Sequence, residues 1–159
     1  MGKLALLEAL RAAHGETVSF TLTSKLCEFF AIDSILEAVP RLYVTNTLPP
    51  YRIAKACPFV FEGTYHLNDN RCRHIVNQSA AELASLIKRA CKAEKMGGDK
   101  VDIYLWRGVF KSNYFEMFLE EIKTRVGDKE KFNYVNIAHE NISLMAIRKS
   151  QENLLKQTS

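Results

Sequence analysis

Apolar positions along the chain recur at two spacings, and the switches between them mark out the expected elements. Residues 3–14 place Leu4, Leu7 and Leu10 on one side of a helix, with Gly15 as a left-handed stop just past its end. ETVSFTL (16–22) then alternates Val18, Phe20 and Leu22 with polar side chains, the period of a half-buried strand. Helical spacing returns between Thr23 and Val39, through Leu26, Phe29, Phe30, Ile35, Leu36 and Val39. Ser34 and Glu37 are spaced as a capping box, so this stretch reads as one helix or as two short ones meeting near Asp33, cut off by Pro40. RLYVTN (41–46) reads as a strand and TLPPYR (47–52) as a rigid proline turn. PFVFEGTYHL (58–67) reads as two short β segments broken at Gly63 and closed by Asn68-Asp69-Asn70.

The second half is patterned more strongly. Ser79-Ala80-Ala81-Glu82 is a capping box that opens a helix with Leu83, Leu86, Ile87 and Ala90 inward, ended by Gly97-Gly98. VDIYLW (101–106) is a strand, and Asn113 can cap a helix with Phe115, Phe118, Leu119, Ile122 and Val126 inward and Gly127 at its end. FNYVNIA and ISLMAIRK pair as a hairpin around His139-Glu140-Asn141. The element order predicts an α+β fold, a mixed β-sheet with helices packed on it and a C-terminal β-hairpin, in a single globular domain over residues 1–149. Residues 150–159 form a polar tail.

Composition changes little in this picture. A chain of 159 residues can bury roughly 70% of its unfolded surface, so the fold needs no metal or disulfide. No apolar run approaches the roughly 20 residues that span a bilayer, and the first helix is interrupted by Glu8 and Arg11 as a signal peptide would not be. The expected address is cytoplasmic or another intracellular compartment, with the cysteines at 27, 57, 72 and 91 as reduced thiols.

Charge is more informative by position than in total. Residues 1–70 carry 6 basic and 7 acidic side chains and residues 101–159 carry 9 and 8, whereas residues 71–100 carry 7 and 3. Lys88, Lys92 and Lys95 fall on one face of the expected helix, opposite its apolar stripe, with Arg89 beside them and Arg71 and Arg73 just before it. Such a surface attracts phosphate backbones or an acidic protein, although lysines on a solvated helix face also serve solubility alone. No interleaved aromatics or RNA-binding signature accompany it, so the contacts expected are to phosphate.

A second constellation is Cys57, His66, Cys72 and His74, a donor set chemically suited to tetrahedral zinc. A hairpin over 58–67 would bring Cys57 and His66 together, and Cys72 and His74 would share a face if their segment were extended. The same residues, with His139, are the candidates for a cysteine nucleophile and its base. The chain has no phosphate-binding glycine loop, HExxH or GxSxG. The sequence therefore favours a non-enzymatic binding or regulatory protein that meets nucleic acid or an acidic protein through the basic surface. The alternatives are an enzyme or zinc protein using the Cys/His region, and an assembly protein docking through Phe110, Tyr104, Trp106 or Tyr114.

Overall fold

The computed structural model describes residues 1–16, 21–93, 100–105, 108–127 and 131–136. Seven helices occupy most of this: α1 (Gly2–Ala13), α2 (Thr23–Phe30), α3 (Ala38–Tyr43), α4 (Pro50–Ala54), α5 (Cys57–Tyr65), α6 (Asn70–Ala93) and α7 (Phe115–Val126). Short 3₁₀ turns fall at Ile35–Glu37 and Gly108–Lys111. Strands β1 (Val101–Leu105) and β2 (Phe132–Asn136) pair in parallel, Val101 opposite Phe132 and Leu105 opposite Asn136. The class is mixed α and β with helices dominant, and the sheet among the described residues has two strands.

The parallel pair accounts for one connection of the second half, and the expected C-terminal hairpin falls on residues outside those described. FNYVN (132–136) forms β2, whose partner in the described residues is β1, reached through α7 as a β-α-β unit. ISLMAIRK and the hairpin tip lie outside the described residues, as do 17–20, Gly97-Gly98, Trp106 and the tail 150–159.

α6 is the spine. It runs 24 residues, about 36 Å at 1.5 Å per residue, and packs against α5, α7 and α1. Its buried residues Cys72, Ile75, Val76, Ser79, Ala80 and Ala84 repeat at three and four, so the helix begins nine residues before the expected capping box at Ser79. Ser79 is thus a buried mid-helix residue. Asp69 makes the true start: its Oδ1 accepts from the backbone N–H of Arg71 at 2.8 Å and of Cys72 at 2.9 Å.

α5 replaces the expected hairpin of 58–67. Val60, Phe61 and Thr64 are all buried, and neighbours 60 and 61 would lie on opposite faces of a strand. Pro58 falls in the first turn, where its missing N–H costs no helical hydrogen bond. Burial on a core with helical spacing overrides the β propensity of the Phe-Val-Phe run.

Three further expectations shift for local reasons. RLYVTN is not a strand; α3 runs to Tyr43 and contains Pro40 at its third position, where an amide would lack an intrahelical acceptor anyway. The proline turn continues into α4, with Pro50 at its start. Asn113 does not cap α7, whose cap position is Tyr114. The capping box at Ser34 and Glu37 forms as expected, opening the 3₁₀ turn with Ser34 Oγ accepting from Leu36 N at 3.4 Å. The helical stretch before it is split, because α2 ends at Phe30 with Ala31 in the left-handed region at φ 52°.

The core is one cluster of buried side chains from α1, α2, α5, α6 and α7, with Phe30, Phe61 and Phe118 the largest fully buried among them. Phe61 stacks on Tyr114 at 5.3 Å between ring centroids and meets Phe118 edge-on at 5.6 Å, which fastens α5 to α7.

Candidate functional site: the basic flank of the long helix

Past its middle, α6 leaves the core. Ala84 is its last buried residue, and Ser85, Lys88, Arg89 and Lys92 are exposed. These positions repeat at three and four, so they share one face. With Ala81 and Ala84 they line a recess of about 500 Å³, and Arg125 of α7 closes its side. The small side chains at 81, 84 and 85 leave the hollow that the longer basic ones surround. Among the described residues, Lys88, Arg89 and Lys92 take part in no ion pair, so their charges are presented to solvent.

Arg125 is held differently. Its Nη1 pairs with Glu121 Oε2 one turn back, and its Nη2 donates to Asn77 Oδ1 on α6 at 3.1 Å. The guanidinium is therefore held in a fixed orientation. In the sequence Arg125 stands four residues after Glu121, the spacing of a helical ion pair, and nothing there links it to α6. Its place beside Lys88 depends on the packing of α7 against α6.

The remaining basic residues do not join this recess. Arg71 and Arg73 lie in the first turn of α6, not in a loop, and Arg73 is 15 residues from Lys88, about 22 Å along the axis. Arg71 is half-buried and Arg73 exposed. Lys95 lies outside the described residues.

Cys57, His66, Cys72 and His74 are dispersed. Cys57 opens α5 and His66 follows its last residue, which separates them by about 13 Å of helix. His66 Nε2 is 3.1 Å from the Tyr114 hydroxyl. Cys72 and His74, two apart on a helix, point about 200° from each other, the first fully buried and the second exposed. Among the described residues no three His, Cys, Asp or Glu side chains gather as a metal-holding group.

Cys72 is chemically quiet for a nucleophile. Burial, reinforced by the Asp69 carboxylate and its hydrogen bond, pushes the thiol up to about 12. Burial and then Glu37 also raise Cys27. Asp69 itself is lowered: burial works against its charge, but hydrogen bonds from Thr21 and from the Cys72 and Arg71 amides outweigh that.

The aromatics considered for assembly are divided. Tyr114 and Phe110 pack on the core, whereas Tyr104 is 37% exposed. No helix among the described residues is long and apolar enough to cross a membrane. No family model, curated protein or solved structure matches the chain, so its recess has no counterpart from which a ligand could be transferred.

Proposed function

We propose that the chain is a binding protein that holds the phosphate backbone of nucleic acid in the recess of α6, through Lys88, Arg89, Lys92 and Arg125. The observation that carries this reading is the grouping of three exposed cations, unpaired among the described residues, around one hollow with a fourth, pre-oriented guanidinium beside them. The side chains suit phosphates, because point charges on flexible stems follow a backbone, while Arg125, its fork engaged by Glu121 and Asn77, adds its remaining N–H groups at a fixed place. Among the described residues the lining has no aromatic ring on which a base could stack, so binding has weak sequence preference and strong salt dependence. Lys92 in the last turn also offsets the negative end of the helix dipole, which reduces the cost of its neighbours' mutual repulsion.

The test is a titration of fluorescent oligouridylate at several salt concentrations. Binding should weaken steeply with salt and be lost in Lys88→Glu/Lys92→Glu, with helix content unchanged. Uptake of polyglutamate but not of RNA would reassign the recess to an acidic protein partner. Equal RNA affinity in the charge-reversed variant would overturn the proposal.

A further inference from the structure

The flank of α6 opposite the basic recess borders a different kind of surface. Leu83 and Leu86 of α6, Val109 and the otherwise buried Phe61 and Phe118 line a cleft of about 1010 Å³, at the upper end of the roughly 300–1,000 Å³ usual for small-molecule sites. A second apolar recess of about 760 Å³ lies between α1, α3 and α4, lined by Leu7, Leu10, Val39 and Leu42 among others. Met1, Ala54 and Cys57 line both, so the two adjoin, and together they form a trough whose waist is these three residues. Its walls expose large apolar side chains that a folded chain ordinarily covers: Leu7, Val39, Tyr43, Tyr51 and Leu86.

Each side of the waist carries a lysine. Gly2 lies so close to the Ile53 carbonyl and Ala54 Cα that a Cβ on it would collide with backbone, which brings the start of α1 onto the end of α4. Exposed Lys3 lines one recess and exposed Lys55 the other. Among the described residues neither has a carboxylate partner, and Lys55 Nζ stands 5.9 Å from the Tyr51 ring centroid. The first turn of α1 has no acidic residue and no side-chain cap, so its amides add positive potential at the same place. Glu82, the one acid lining the larger cleft among the described residues, is engaged by Gln78 Nε2 at 3.0 Å.

We infer that the trough binds a fatty acyl carboxylate, its carboxylate at Lys3 and Lys55 and its chain in the larger cleft. An apolar cleft bordered by exposed Lys3 and Lys55 fits an amphiphile with one anionic end and an apolar tail. The positive charge on both sides of the waist favours an acid over a neutral lipid.

The experiment uses the full chain, dodecanoate below its micelle concentration, and displacement of the neutral fluorophore N-phenyl-1-naphthylamine. Wild type should bind dodecanoate saturably at one per chain and about five- to tenfold more tightly than 1-dodecanol. Lys3→Glu/Lys55→Glu should abolish that preference while 1-dodecanol binding persists. Leu86→Glu, at a site 57% exposed and so safe for folding, should weaken both ligands at least tenfold. Absence of saturable binding by folded wild type, equal affinity for acid and alcohol, or full binding by Leu86→Glu would each overturn the inference. So would a concentration-dependent dimer in sedimentation that takes up no dodecanoate, which would mark the trough as a contact between copies.

Discussion

The Cys72 thiol fills the space that a side chain on Gly63 would occupy: a Cβ there would overlap Cys72 Sγ and lie 3.0 Å from Cys72 Cβ. This contact sets the approach of α5 to α6. Gly63→Ala should destabilise the fold by about 1–3 kcal/mol in urea melts, although alanine favours helix by about 1 kcal/mol. In a Cys72→Ala background the same change should cost at least about 0.5 kcal/mol less, and strict additivity would deny the contact its role.

Asp69 starts the spine, so its loss should be felt along α6. Asp69→Ala is expected to cost about 1–2 kcal/mol. Because its carboxyl is held below the ordinary range, the charged form contributes stability that is present above about pH 4 and is lost as the pH falls through the folded value. Asp69→Asn should retain part of the cap and flatten that acid limb. An unchanged acid limb in Asp69→Asn would assign the pH dependence to other carboxylates.

Cys72 should resist alkylation at pH 8 while half-buried Cys57 and Cys91 are modified, and should react only after denaturation, as read by peptide mass spectrometry. Its raised value has a stability consequence of the opposite sign to that of Asp69. The neutral thiol's contribution is complete below the ordinary value of 9.0 and declines as the pH climbs from there toward about 12.

Arg125 joins two roles that substitution can separate. Arg125→Ala should cost about 1 kcal/mol by cutting the tie to Asn77 and should reduce the slope of log affinity against log salt by roughly 0.7. Arg125→Lys should keep the slope while losing stability, since a single ammonium cannot serve Glu121 and Asn77 in one plane. A salt slope that Arg125→Ala leaves unchanged would remove Arg125 from the recess.

Much of the fold was legible where one helix face carries the whole signal. α1, α7 and the capping box at Ser34 follow from leucine and phenylalanine spacing and from a local hydrogen-bond pattern. The first half of α6 was equally periodic, through Cys72, Ile75, Val76, Ser79 and Ala80. It is obscured in the sequence because cysteine also suits a metal site and serine a helix cap, roles that neither Cys72 nor Ser79 fills in the fold. α5 was hidden for a different reason: its aromatic run has β propensity, and what makes it a helix is the surface of α6 and α7 that receives Phe61. Of the candidate site, Lys88, Arg89 and Lys92 could be placed on one face from spacing alone. That Arg73 stands far from them, and Arg125 near, follows only from the length of α6 and the docking of α7.

The uneven burial of α6 also sets a gradient in how easily it opens. Amide protons from Cys72 to Ala84 lie under the core and should exchange with solvent deuterium only when the whole molecule unfolds, whereas those from Lys88 to Ala93 should exchange through fraying of the last turns. The cationic end is thus the end at which the backbone is cheapest to reshape. An anion held there would raise protection in the last two turns and leave the first half of the same helix unchanged, so deuterium uptake along one element would report both the place of binding and its reach.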